Sequence, residues 1–325
     1  MAITTTLADI AAAAGVSTAT VSRVMNRKPG VRSSTREAVL RALEQAEYEV
    51  PTQLTRNLVA VLVPELSNPS FPQYAQELTQ LLFAAGYAAI VCPAGQGGSS
   101  EAQYLDTLLD SDVCGIISVS GASADALASK VPYERLLDSR IPSVFINGSP
   151  EGIAAPFFCA DDAVGVQLAV EHLRNLGHEH IGLAVGQPRF LPTRRKTAAF
   201  LALGFDEQRD VVSTEYTADG GARAGRRLLA NGHTAIVAGS DVMAMGAIQD
   251  AQAQGLNVPG DFSVVGYDDS PITRLTQLTT VRQPVNPISE AAVATLLNII
   301  RGEEVAAGEL LFAPDLTIRA TTGRP

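Results

Sequence analysis

The feature that most constrains this 325-residue chain is a recurrence that begins at Leu58: short, uninterrupted apolar runs separated by helix-like segments. LVAVLVP starts at Leu58, AAIVCP at Ala88, CGIISVS at Cys114 and IPSVFING at Ile141. A strand with one wet face alternates apolar and polar residues, whereas an uninterrupted run marks a parallel strand covered on both faces. YAQELTQLLFAAGY and EAQYLDTLLDS intervene with the apolar spacing of helices. A second series follows Asp161, in which VGVQLAVEHLRNLG leads to HIGLAVG, RKTAAFLALGF to VVSTEY, ARAGRRLLANG to TAIVAG and MAMGAIQDAQAQG to DFSVVGYDD. Such alternation predicts α/β layers. Two series predict two lobes of similar size whose strand ends open on a shared cleft, where α/β folds bind ligands. The segments ISEAAVATLLNIIRG and LTIRA are expected to return the chain to the first lobe.

The first fifty residues follow a different pattern. TLADIAAAAGVSTATVSRVMN, from Thr6 to Asn26, reads as two short helices around a tight turn. Leu7, Ile10, Ala11 and Ala14 fall on one helical face. Gly15 can take the positive φ that ends the helix, and Val16 can fold back on it. Ser17 is a good N-cap for the second helix, which buries Val21, Val24 and Met25. Thr18, Ala19, Ser22 and Arg23 then face outward. Many such pairs only pack together, but this outer face is small and nearly neutral, so it can enter a major groove. Thr18 and Ala19 are placed for base edges, Ser22 and Arg23 for a base or a phosphate, and Ser17, Thr20 and Asn26 for positioning the backbone. The basic run RKPGVR, starting at Arg27, can reach phosphates. A third helix is expected from Ser34, with Glu37 at capping-box spacing and Val39, Leu40 and Leu43 as its apolar stripe.

Charge is distributed to match. The chain carries a net −10, of which residues 1–58 contribute +2 and the remainder −12. An acidic body with a slightly basic head excludes a general nucleic-acid coat and fits localised DNA contact. Cys92, Cys114 and Cys159 lie in apolar runs and show neither a disulfide framework nor zinc spacing. A secretory leader and a membrane-length apolar span are both missing from the sequence, so a reducing cytoplasm is expected. No catalytic set emerges. AGQGGSS lacks the Lys-Ser/Thr of a phosphate loop, and SVSGAS lacks the context of a nucleophile elbow. His172, His178, His180 and His233 lack ligand spacing. Asp161–Asp162 and Asp268–Asp269 sit at strand exits, where acids cap helices or bind ligand hydroxyls. The expectation is therefore a binding protein without metal or cofactor.

In order and spacing, GVSTATVSRVMN, VPELSNPSF, HLRNLGHEHIGL, SDVMAMGAIQDAQAQGLNVPGDFSVVGYDDS and LTTVRQP together resemble the LacI/GalR family of transcriptional regulators over almost the whole chain. The resemblance implies an all-α helix-turn-helix head at 1–50 and a linker at 51–58. It also implies a two-lobed, periplasmic-binding-protein-like α/β domain with parallel sheets at 59–325. The first lobe would hold about 59–160 plus 285–325, and the second about 161–284. It further implies a homodimer on a pseudo-palindromic double-stranded operator, a repressor governed by a sugar or sugar phosphate in the cleft. The alternative is a cytoplasmic solute sensor without operator binding. Carried over by position, the ligand residues are Phe71, Asn147, Asp161, Arg194 or Lys196, Ser240 and Asp268. Three departures stand out. The linker is shorter than the family's, leaving Leu54 or Leu58 as the only minor-groove wedge. Arg32 and Glu47 replace the family's Ser and Gly. Lys196 replaces an Arg, beside Arg194 and Arg195, which leans the ligand toward an anion.

Overall fold

The computed structural model describes residues 6–25, 31–46, 57–95, 100–148, 150 and 152–325. Asn26, Arg27 and Leu54 therefore lie outside the described residues. The chain forms two compact units, Met1–Asn57 and Leu58–Pro325.

In the first unit, α1 (Leu7–Ala13), α2 (Thr18–Met25) and α3 (Ser33–Gln45) enclose a small core. Ile10, Ala11, Val21, Val24, Val39, Ala42 and Leu43 are buried together. Thr6 and Asp9 cap α1 reciprocally: the Thr6 N–H donates to Asp9 at 2.7 Å and the Asp9 N–H to the Thr6 hydroxyl at 3.4 Å. Gly15, at φ +64°, ends α1 as expected. The Val16 N–H then donates to Ala11 O at 3.0 Å, which closes a Schellman turn. Ser17 caps α2 through the Thr20 N–H at 3.2 Å. Two expectations fail at solvent. Leu7 and Leu40 are exposed; Leu40 is turned by about 100° from Val39, which with Ala42 and Leu43 forms the buried face of α3. Ser34 lies inside α3, which starts one residue earlier, so the expected capping box does not start that helix.

The second unit opens with β1 (Leu58–Val63), α4 (Ser70–Ala84), β2 (Ala88–Pro93), α5 (Glu101–Leu109), β3 (Val113–Val119), α6 (Val131–Asp138), β4 (Ser143–Ile146) and β5 (Pro156–Ala160). It continues with α7 (Asp162–Leu176), β6 (Ile181–Val185), α8 (Leu191–Ala202), α9 (Glu207–Asp210), β7 (Val211–Ser213), α10 (Ala218–Ala230), β8 (Ala235–Ala238) and α11 (Asp241–Ala253). The chain ends with β9 (Ser263–Asp268), α12 (Thr273–Thr276), β10 (Thr279–Arg282), α13 (Val285–Ile300), β11 (Gly308–Phe312) and β12 (Asp315–Thr317). One sheet runs β11-β5-β4-β3-β1-β2 and is parallel throughout. The other runs β12-β10-β9-β8-β6-β7 and is parallel except for β12.

Each sheet is covered on both faces, as the apolar runs predict. In the first lobe α4 and α13 pack one face, and Leu105, Leu108, Tyr133 and Leu136 from α5 and α6 pack the other. In the second, α10 and α11 oppose α7 and α8. The α10–α11 contact is backbone on backbone. A Cβ on Gly221 would come within 2.0 Å of Met243 O, and one on Gly246 within 1.9 Å of Ala218 O. The run at Ala88 departs from expectation: β2 is an edge strand and exposes Ile90 and Val91. Leu58, a candidate wedge, instead begins β1, paired with Ala88 and Val113.

The return of the chain is divided. α13 and β11 belong to the first lobe, but β12, the core of the LTIRA run, pairs with β10 in the second. The reason lies in the tail beyond it. The Thr279 N–H donates to Thr321 Oγ1 at 2.9 Å, and Thr321 Oγ1 donates to Val264 O at 2.7 Å. The Val264 N–H donates to Thr321 O at 2.8 Å, and His178 reaches Gly323 O at 3.0 Å. These backbone groups need partners once buried, and only the tail supplies them. No helix among the described residues is long and apolar enough to cross a membrane. Thr321→Val should strand the Val264 carbonyl and the Thr279 N–H. A loss of about 1–3 kcal/mol is expected in urea unfolding, and an unchanged midpoint would refute the strapping role.

Candidate functional site

The strand exits of the two sheets face each other across a cleft of about 270 Å³. Its walls come from turns in which non-glycine residues hold positive φ: Ser120 at +56°, Asn147 at +56° and Asp268 at +118°. Such strained backbone persists where the surroundings over-determine it, and it clusters at ligand sites.

Asn147 and Asp268, at the exits of β4 and β9, are joined through a residue that the sequence reading passed over. Gln283 lies where the chain crosses from β10 to α13. Its Nε2 donates to Asp268 Oδ1 at 2.6 Å, and its Oε1 accepts from Asn147 Nδ2 at 3.3 Å and from the Tyr74 hydroxyl at 3.2 Å. Burial pushes the Asp268 carboxyl well above the usual carboxylate range, and the Asp241 carboxylate behind it adds to the effect. Asp241 is itself pushed up to about 6 by burial, against hydrogen bonds from Thr280 and Ser270.

Lys196 enters the cleft from α8, almost wholly buried. Its Nζ lies 2.7 Å from Asp162 Oδ1 and 4.0 Å from the centre of the Tyr267 ring. The Tyr267 hydroxyl donates to the same Asp162 oxygen at 2.9 Å. Burial alone would lower the lysine pKa, but Asp162 together with Tyr216 and Asp268 outweighs it and the net shift is upward. Ser240 lines the cleft and caps α11 by accepting the Met243 N–H at 3.3 Å. Phe71, Phe190 and Tyr216 add aromatic surface.

Two sequence candidates lie off the cleft. Asp161 caps α7, accepting the N–H groups of Ala163 at 3.0 Å and Val164 at 3.2 Å, while its neighbour Asp162 faces the cleft. Arg194 is exposed and donates to Arg189 O at 2.7 Å. Arg195 and Lys196 line the cleft in its place. A one-residue slip at a helix start turns the side chain by about 100°, and sequence spacing does not resolve it. Among the histidines, His178 is held by Thr234 and Gly323, and His233 by Leu228 O and Asp210. Both are structural.

Among the described residues, the sequence's lean toward an anion meets no unpaired cation on the cleft wall. Each cation lining the cleft already meets an acid: Lys196 meets Asp162, Arg195 meets Glu309, and Arg189 meets Asp125. In the head, Thr18, Ala19 and Arg23 are exposed on α2, with Ser22 partly so.

Residues 6–50 match the model of bacterial regulatory proteins of the lacI family, and residues 170–322 that of a periplasmic binding protein-like domain. The HTH-type transcriptional regulator reg1 of Streptomyces lividans is 45% identical, over 98% of this chain and 97% of its own length. The HTH-type transcriptional regulator MalR of Streptomyces coelicolor is also 45% identical, over 98% and 97%. Among solved structures, the lac repressor dimer bound to operator and the anti-inducer ONPF superposes with a TM-score of 0.82. It is 27% identical, with 99% of this chain and 100% of that chain covered. The CelR–cellobiose complex gives a TM-score of 0.71 at 28% identity, over 98% and 100%. These relatives are regulators rather than enzymes. With its helix-turn-helix head, its two-lobed ligand domain and full-length relatives at this identity, the chain belongs to the LacI family of transcriptional regulators.

Proposed function

We propose that the protein is a homodimeric repressor whose operator affinity is set by a neutral saccharide in the cleft. The pairing of every cleft cation carries this reading. A phosphate or carboxylate would have to compete with an acid for its cation, at Lys196 leaving the buried Asp162 uncompensated, whereas hydroxyls need only directional donors and acceptors. Asn147, Ser240 and Asp268 supply these, and Phe71, Phe190 and Tyr216 supply ring faces. The cellobiose bound by CelR is a ligand of this class. A thermal-shift screen of neutral sugars against their phosphates tests the reading directly. Stabilisation only by phosphorylated sugars would overturn it.

Once a sugar is identified, Asp268→Ala should weaken its binding by about 1–3 kcal/mol in calorimetry. Asp269→Ala should cost less, because Asp269 is turned away toward Thr273 and Arg319, at 2.8 and 2.6 Å. Equal losses would move the site.

Two-fold operators need two heads, and one head with a charge of +2 is a weak anchor. Support for the dimer comes from the β2 edge of the first sheet, where Ile90 and Val91 are exposed and α4 presents Phe83. Ile90→Glu together with Val91→Glu should give monomers in sedimentation at micromolar protein. A parent-like dimer would place the interface elsewhere.

In the head, Arg23 on the exposed face of α2 is the proposed reader of a guanine edge, with Thr18 and Ala19 at neighbouring bases. Arg23→Ala should reduce discrimination between operator and scrambled duplex by about 1–3 kcal/mol in fluorescence anisotropy. A ratio equal to the parent's would show that the face is misassigned.

A further inference from the structure

We infer that Glu101 is a positioning residue for the cleft, acting through the segment 120–126 that it holds in place. It rests on the cleft being the effector site, but its test needs no effector.

Glu101 starts α5 and is 2% exposed. Its Oε1 accepts from the Tyr133 hydroxyl at 2.7 Å and the Ser118 hydroxyl at 3.0 Å, and its Oε2 accepts the Ala122 N–H at 2.8 Å. No cation is among its described partners. A buried carboxylate without a cation is costly, and its donors must all be in place to offset that cost. Donors from three segments converge on it, and the backbone of the short turn Gly121–Ala124 supplies two of them, at Ala122 and Ser123.

That turn both shapes the cleft and leads directly into the segment that touches the second lobe. Ser120, at φ +56° and ψ −144°, and Gly121 line the cleft. Gly148 gives the turn room, since a Cβ there would lie 2.4 Å from Ala124 Cβ. Immediately after it, the Ala126 N–H donates to Arg189 O at 2.9 Å, and Asp125 forms an antiparallel bridge with Phe190. Arg189 Nε stands 3.4 Å from the Asp125 carboxylate. The backbone at Ser120 is unfavourable for a residue with a Cβ and needs an external hold. Glu101 provides it, and so fixes the height at which Asp125 and Ala126 meet Arg189 and Phe190.

The test is hydrogen–deuterium exchange on the full-length protein without added ligand. Glu101→Gln has one acceptor oxygen where Glu101 has two, so it cannot accept from both the Ala122 N–H and the hydroxyls of Tyr133 and Ser118, and in either orientation the uncharged amide holds the turn more weakly. Amides 122–126 should exchange about tenfold faster, the segment 187–190 should follow, and the thermal midpoint should stay near the parent's. Tyr133→Phe removes a hydroxyl donor and leaves the Ala122 bond, so the Ala126 amide should exchange as in the parent. Parent-like exchange at 122–126 in Glu101→Gln would overturn the inference, as would equal acceleration in Tyr133→Phe. If Glu101→Gln loses its fold, Ala122→Pro removes the same bond from the turn side and carries the same two outcomes.

Discussion

A single side-chain amide joins the two lobes at the floor of the cleft. Gln283 offers its oxygen to Asn147 and Tyr74 of the first lobe and its nitrogen to Asp268 of the second. An amide suits this place because it is both donor and acceptor while carrying no charge that burial would penalise. A carboxylate could not donate to Asp268, and a lysine could not accept from Asn147. Because Gln283 sits on a crossing segment, these bonds are among the contacts that a change in the angle between the lobes must alter. The cleft residues best placed for a ligand are the same residues that Gln283 organises.

The electrostatics of the cleft follow from how deeply its charged groups are buried. Lys196 is kept charged by Asp162, and the Tyr267 ring and hydroxyl complete the enclosure of that pair. Asp268 has no comparable partner: burial and the nearby Asp241 carboxylate both oppose its ionisation. A carboxyl biased toward its neutral form can donate as well as accept, which suits a hydroxyl better than it suits an anion. The departure at position 196 therefore puts a paired lysine, not a free cation, in the wall. The lysine is occupied, and its charge is balanced inside the wall.

The layers were legible in the sequence because both faces of the central strands are covered, so burial left a continuous apolar trace in β1, β3 and β9. The same trace misleads at β2, an edge strand whose exposed Ile90 and Val91 look like core in one dimension. β5, with Pro156 and two phenylalanines, stands apart from the two series of runs, and chain order alone points LTIRA to the wrong lobe. Sheet membership there is decided by bonds from Thr321 to Val264 and Thr279, which have no signature in hydropathy. Within the site, strand-exit residues such as Asn147, Ser240 and Asp268 were findable from their place at the end of an apolar run. Asp162 and Arg195 were missed by one position each. Gln283 falls within LTTVRQP with no sign of its role, because a hydrogen-bond hub between distant elements leaves no local pattern.

What an effector can accomplish is bounded by the contacts that differ between lobe arrangements. Here those contacts are few and polar: the Gln283 hub, Arg195 with Glu309, and Asp125 and Ala126 with Arg189 and Phe190. The lobes' apolar cores are separate, so changing the angle between them exposes no large hydrophobic surface. Partly exposed ion pairs are worth about 0–1 kcal/mol each, and a typical hydrogen bond about 0.5–1.5 kcal/mol net. The sum is comparable with the coupling of about 1–3 kcal/mol that allosteric ligands commonly supply. A small polyhydroxy molecule that replaces or reinforces a handful of these bonds therefore has enough differential affinity to choose the lobe arrangement. It need not disturb either core, and this makes a two-lobed body with a polar seam a workable sensor.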